Sequence, residues 1–169
     1  MVTGRHFVRN TVFALALSFS SEVMAQAAGF TFHVTGGMTV DCRTPLTVQN
    51  QPVHLRGSGT INPDRSGTAD LTIQELNSTI HFDGRLGGRP IAAPGGTSRL
   101  NVVSRNRLRA VWDMPNNQLV LDVVSHGQAC TAIPSIVLKR GSHEYSLFDG
   151  RGWWTCSAVR VGPASCQGS

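Results

Sequence analysis

Short alternations of apolar and polar residues, cut every few positions by Gly, Pro, Asn, Asp or Ser, run through nearly all of the chain beyond residue 28. They constrain the fold more than any other feature. A period of two sends successive side chains to opposite faces of an extended strand, whereas a helix needs a period of 3.6, and helical periodicity is nearly absent here. In the run Phe30 to Thr35, Phe30, Phe32 and Val34 share one face and Thr31, His33 and Thr35 the other, and Gly36-Gly37 is expected to end that strand. Further runs cover 46–48, 53–55, 57–61, 68–73, 79–86, 100–103, 108–112, 119–124, 136–139, 145–148 and 153–161. The stretch Asn62 to Gly67 collects Pro, Asp and Gly and is expected to reverse the chain. Asn116-Asn117 and Gly141-Ser142 stand where tight hairpin turns are needed, and Gly87 to Gly96 is the longest candidate loop. The expected fold class is all-β: a single antiparallel β-sandwich or β-barrel of roughly eight to ten strands, with the two architectures left open.

The first 27 residues carry a different pattern. Arg5 and Arg9 precede the apolar run Val12 to Leu17, and Ala25-Gln26-Ala27 supplies the small residues of a cleavage site. Residues 1–27 are therefore expected to be a cleaved secretory signal peptide, with 28–169 a single exported β-domain, soluble and periplasmic or extracellular. The apolar run is shorter than the ~20 residues a membrane-crossing helix needs, so no transmembrane segment is expected in the mature chain.

Cys42, Cys130, Cys156 and Cys166 all lie beyond that segment, and an even count in an exported chain reads as two disulfides. Spacing alone allows three connectivities. The preferred one joins Cys156 to Cys166 as a local tie on the tail and Cys42 to Cys130 as a long bridge. No Cys-x-x-Cys spacing is present, and His126, four residues before Cys130, has no companion pair, so no metal and no cofactor is expected.

Beyond residue 27 the chain holds thirteen Lys and Arg against nine Asp and Glu, a net charge of +4, and Lys139 is its one lysine. Guanidinium groups suit two-point contact with carboxylate or phosphate, although a bias of the genome toward arginine codons gives the same composition. Arg105, Arg107 and Arg109 alternate; on a strand they would share one face about 7 Å apart, with Leu108, Ala110 and Trp112 on the other. Arg99 extends this candidate anion-binding patch. An anionic glycan, a lipid head group or an envelope protein would fit it, whereas nucleic acid is not expected, because no aromatic row interleaves to stack bases. The competing reading is a solvated face or a charged edge strand that deters aggregation.

Trp153 and Trp154, with Arg151 beside them, form a candidate aromatic contact surface, or pack at the end of the sheet near Cys156. For catalysis the chain offers His81 and Asp83 on one strand face, His143-Glu144 at a turn, and Asp113, Asp122, Glu144 and Asp149 as the carboxylates of the second half. Neither a nucleophile elbow nor a metalloprotease motif is present, and no pair is singled out, so no catalytic residue is assigned. The leading expectation is a non-catalytic exported domain that binds an anionic envelope component or an envelope protein. The alternative is a barrel carrying a small apolar ligand in a cavity lined by Leu119, Leu121 and Val123. A hydrolase comes third.

Overall fold

The computed structural model describes residues 29–169; the expected signal peptide, 1–27, lies outside the described residues. Twelve strands build one antiparallel sheet: β1 (Phe30–Thr44), β2 (Val48–Ile61), β3 (Gly67–Ile73), β4 (Ser78–Asp83), β5 (Ile91–Ala93), β6 (Gly96–Ser104), β7 (Arg107–Asp113), β8 (Asn117–His126), β9 (Ala129–Leu138), β10 (Tyr145–Phe148), β11 (Trp153–Val161) and β12 (Ser165–Gly168). Neighbours run β4-β3-β2-β1-β12-β9-β8-β7-β6-β5, and β11 pairs with the second half of β1 and carries β10 on its other edge. The sheet curls until β4 approaches β6, where Ser98 Oγ donates to the His81 carbonyl at 2.5 Å. The architecture is thus a nearly closed antiparallel barrel, which decides between the two expected forms.

The alternating pattern does what the sequence suggests. Phe32, Val34, Leu55, Leu71, Ile80, Phe82, Leu108, Trp112, Leu119 and Val123 point inward and are buried. Charged side chains face outward, the reverse of the alternation that a lipid-facing barrel requires. No helix among the described residues is long and apolar enough to cross a membrane. Trp112 anchors the core: it is fully buried, and its indole N–H donates to the Pro94 carbonyl at 2.9 Å, so the one polar atom of the ring keeps a partner.

Several local expectations are corrected. The first strand does not stop at Gly36-Gly37 but continues to Thr44. Those glycines serve a close approach instead: the link between β11 and β12 crosses here, where a Cβ on Gly36 would lie 3.2 Å from Ala164 Cβ, and Gly162 N–H donates to the Gly37 carbonyl at 2.9 Å. The glycine-rich stretch 87–96 contains the short strand β5, and the tail forms β12, so the strand count is twelve rather than eight to ten. Asn117 is not a turn residue. It opens β8 fully buried, and its side-chain oxygen accepts from Ser146 N–H at 2.7 Å, tying β10 to β8. The reversal at Asn62 to Gly67 forms as expected, with Asn62 N–H donating to Ser66 O, Ser66 N–H to the Asp64 carboxylate, and Arg65 at φ 66°.

The expected disulfide connectivity is also overturned. Two bridges form, but they join Cys42 to Cys156 and Cys130 to Cys166. The reason lies in the register along β1. Thr35 to Phe32 face Ser165 to Gly168 of β12, and Thr44 to Met38 face Thr155 to Val161 of β11. Strands β11 and β12 therefore follow each other along the same edge, and ten residues of extended chain hold Cys156 and Cys166 about 30 Å apart. Cys42 sits directly across from Cys156, while Cys130 lies at the other end of β1, where Ala129 faces Gln167. That is the one ladder pair between β12 and β9, so the Cys130–Cys166 bridge clasps the shortest ladder of the sheet.

Candidate functional site

The basic patch forms in altered shape. Arg107 and Arg109 project outward from β7, with Leu108, Ala110 and Trp112 buried behind them as the alternation requires. Arg105 does not join the strand; it forms with Asn106 the two-residue turn between β6 and β7, a turn held by Ser125 N–H donating to Asn106 O at 2.7 Å. The expected straight row of three is therefore two arginines on β7 and one at its end. Arg99 stands on β6 opposite Val111, diagonal to Arg109.

Asp122, across from Arg109 on β8, is the carboxylate of this cluster. Arg109 donates to it twice, from Nε at 3.0 Å and Nη2 at 2.8 Å, and Arg107 Nη2 lies 3.8 Å away. Bonding to Asp122, with its charge, raises the already high pKa of Arg109. One carboxylate thus stands between two guanidinium groups, each about half exposed, and among the described residues Arg99 and Arg105 have no carboxylate within salt-bridge distance. The same face continues over β8 and β9 with apolar side chains in the open, Ile133 at 58% and Val137 at 54% exposure. Toward its far end Lys139 and Asp113 pair at 2.6 Å.

The other singled-out residues are dispersed. His81 turns to Asp70 across β3, Nδ1 to Oδ1 at 2.8 Å, rather than to Asp83 on its own strand. Asp83 instead takes the Arg85 side chain, at 2.6 Å to Nη2, and the Arg85 backbone N–H; these bonds lower its pKa to about 2. Glu144 accepts from Arg43 at 2.8 Å, and Asp149 accepts from Trp154 Nε1 at 2.9 Å and from the N–H groups of Arg151 and Gly152. The indole bond, with the two backbone bonds, keeps Asp149 below the usual carboxylate range and outweighs the opposing effect of burial. Trp153 meets Phe148 edge to face at 5.3 Å and lies over the Pro94-Gly95 turn, so the aromatic pair packs the end of the barrel while Trp153 keeps 38% exposure. Around Leu119, Leu121 and Pro134 the interior space is about 10 Å3, far below the several hundred Å3 of a ligand cavity. The expected carrier site is thus filled by side chains. Among the described residues no three His, Cys, Asp or Glu side chains gather as a metal would require.

A second surface escapes sequence reasoning. On the outside of β1, between β2 and β11, an open groove of about 430 Å3 runs over Gly37 and Thr39, flanked by Pro52 and His54 on one side and by Arg160, Gly162 and Pro163 on the other. Glu75 fixes His54 by accepting from its backbone N–H at 2.6 Å and from ring Nδ1. Partial burial pushes the Glu75 carboxyl up, but the two His54 bonds outweigh it and the pKa falls below its ordinary value. Arg160 donates from Nη1 to Asp41 Oδ2 at 2.9 Å, and Asp41 is itself held low in pKa by the Asn50 N–H and then by Arg160. Residues 37, 54 and 160 meet only through strand register, and the doubled glycine is their one sequence signal.

These features define a cysteine-clasped antiparallel barrel with a packed interior and its polar chemistry on the outer faces of its strands. Comparison of the chain with family models, curated proteins and solved structures returns no match.

Proposed function

We propose that this chain is a non-catalytic binding domain, exported to the periplasm or cell exterior, that docks an anionic envelope component, glycan or lipid head group, on the outer face of β6–β9. The observation that carries the reading is the uneven charge of that face: Arg99, Arg105, Arg107 and Arg109 stand together with Asp122 as the carboxylate within reach. The sheet holds Arg99, Arg107 and Arg109 at fixed spacing, with Arg105 on the tight turn at its edge, so several phosphates or carboxylates are met without ordering a long loop first. The open Ile133 and Val137 beside them add apolar contact for acyl or sugar-ring surface. Two disulfides suit an oxidising compartment.

The mechanism is multidentate charge pairing, so affinity falls as salt rises. The test compares retention of the native protein and an Arg105→Ser, Arg107→Ser, Arg109→Ser variant on lipopolysaccharide and on an acidic glycan, at low and at high salt. The reading expects native retention that salt abolishes and a variant that is not retained; equal retention of both proteins refutes it.

A further inference from the structure

We propose that the groove over Gly37 is a separate binding site for a carboxylate carried on a compact hydroxylated ring, the chemistry of an acidic sugar of the uronate class. It lies on β1, β2 and β11, so it does not depend on the β6–β9 face. Three features point to this ligand. The floor is glycine: Gly37 and Gly162, joined backbone to backbone at 2.9 Å, put no side chain over the strand and let a ring lie close to it. The flanks are the rings of Pro52 and Pro163, apolar surfaces suited to the C–H face of a sugar.

The polar groups on the two sides are complementary. Arg160 uses Nη1 on Asp41, leaving Nη2 and Nε as a fork for a carboxylate. Across β1, the acceptor-only Glu75 carboxylate takes up His54 Nδ1, which leaves the ring's Nε2 with no protein partner among the described residues. A sugar hydroxyl, which can donate or accept, can bond to it while the carboxylate meets Arg160. Charge selects the carboxylate over a phosphate ester: Asp41 already offsets Arg160 and Glu75 stands behind His54, so one negative charge is balanced here better than two.

The test is an amide-shift titration of the full mature chain with glucuronate, glucose and glucose 6-phosphate. Glucuronate is expected to move the Gly37, Thr39 and Gly162 signals at millimolar concentration, with glucose and glucose 6-phosphate each at least about fivefold weaker. Arg160→Gln is expected to weaken glucuronate by a similar factor with the spectrum otherwise preserved, and Arg160→Lys to recover only part of the loss because it lacks the fork. Equal binding of glucose, tighter binding of the phosphate ester, shifts confined to other strands, or an unaffected Arg160→Gln variant would each overturn the proposal.

Discussion

Removing the Cys130–Cys166 bridge should loosen the barrel at its narrowest seam. Its loop spans 36 residues, and restricting an unfolded chain by a loop of that size corresponds to about 4 kcal/mol; the 114-residue Cys42–Cys156 loop corresponds to about 5 kcal/mol. Strand β12 is four residues long and is laddered to β1 along its length, but it shares with β9 one register pair, Ala129–Gln167, so on that side the bridge is the main covalent and ladder tie. A Cys130→Ser, Cys166→Ser variant is therefore expected to lose about 4 kcal/mol in urea unfolding, and about 10 °C or more in Tm for a domain of this size. Connectivity is checked first, by trypsin without reductant. Cleavage after Arg160 separates Cys156 from Cys166, so the fragment ending at Arg43 should travel with 152–160, and 110–139 with 161–169. A fragment joining 152–160 to 161–169, or a loss below about 1 kcal/mol, refutes the seam argument.

Other perturbations have equally definite outcomes. Trp112→Ala should cost about 3–5 kcal/mol from the void and the orphaned Pro94 carbonyl, whereas Trp112→Phe should cost about 1–2 kcal/mol, both read from urea midpoints. Gly59→Ala should destabilise by about 1–3 kcal/mol, because a Cβ there runs into Thr68 O and the Phe32 ring; an unchanged midpoint would show that β2 and β3 can separate at no cost. Asp83 titrates at about 2 when folded against about 4 unfolded, so the stability it contributes is present above pH 4 and is lost as pH falls toward 2. An Asp83→Asn variant should lose that part of the acid dependence, and a carboxyl titration by NMR that places Asp83 near 4 would contradict the Arg85 pairing.

Local features were legible in the sequence and long-range ones were not. The alternation of Phe30, Phe32 and Val34, and of Leu108, Ala110 and Trp112, set inward and outward faces correctly because a strand's period is a local property. The Asn62 to Gly67 reversal was legible for the same reason: Pro63, Asp64 and Gly67 act on their own backbone. Gly36-Gly37 misled because a glycine that admits a crossing segment reads the same as one that ends a strand, and the crossing segment lies more than 120 residues away. Cysteine spacing allowed three connectivities, and the preference for a local Cys156–Cys166 tie failed because two strands in line along β1 keep those residues apart, which only the register shows. Alternation placed Arg107 and Arg109 on one outward face of β7, whereas Arg105 is a turn residue. His81 was matched to the wrong carboxylate, since Asp70 faces it across the ladder at 2.8 Å. The groove at His54 and Arg160 was invisible because its sides come from strands 106 residues apart in sequence.

The proposed docking face, β6–β9, is open to a direct test. The discriminating experiment titrates labelled mature protein with a phosphorylated lipid head group, a ligand the Gly37 groove is expected to take only weakly, at low salt, and follows every backbone amide. Shifts are expected to concentrate at Arg99, Arg105, Arg107, Arg109, Asp122 and Ile133 and to collapse when salt is added. Shifts on β2 and β3 alone, or shifts on β6–β9 that persist unchanged at high salt, would contradict it.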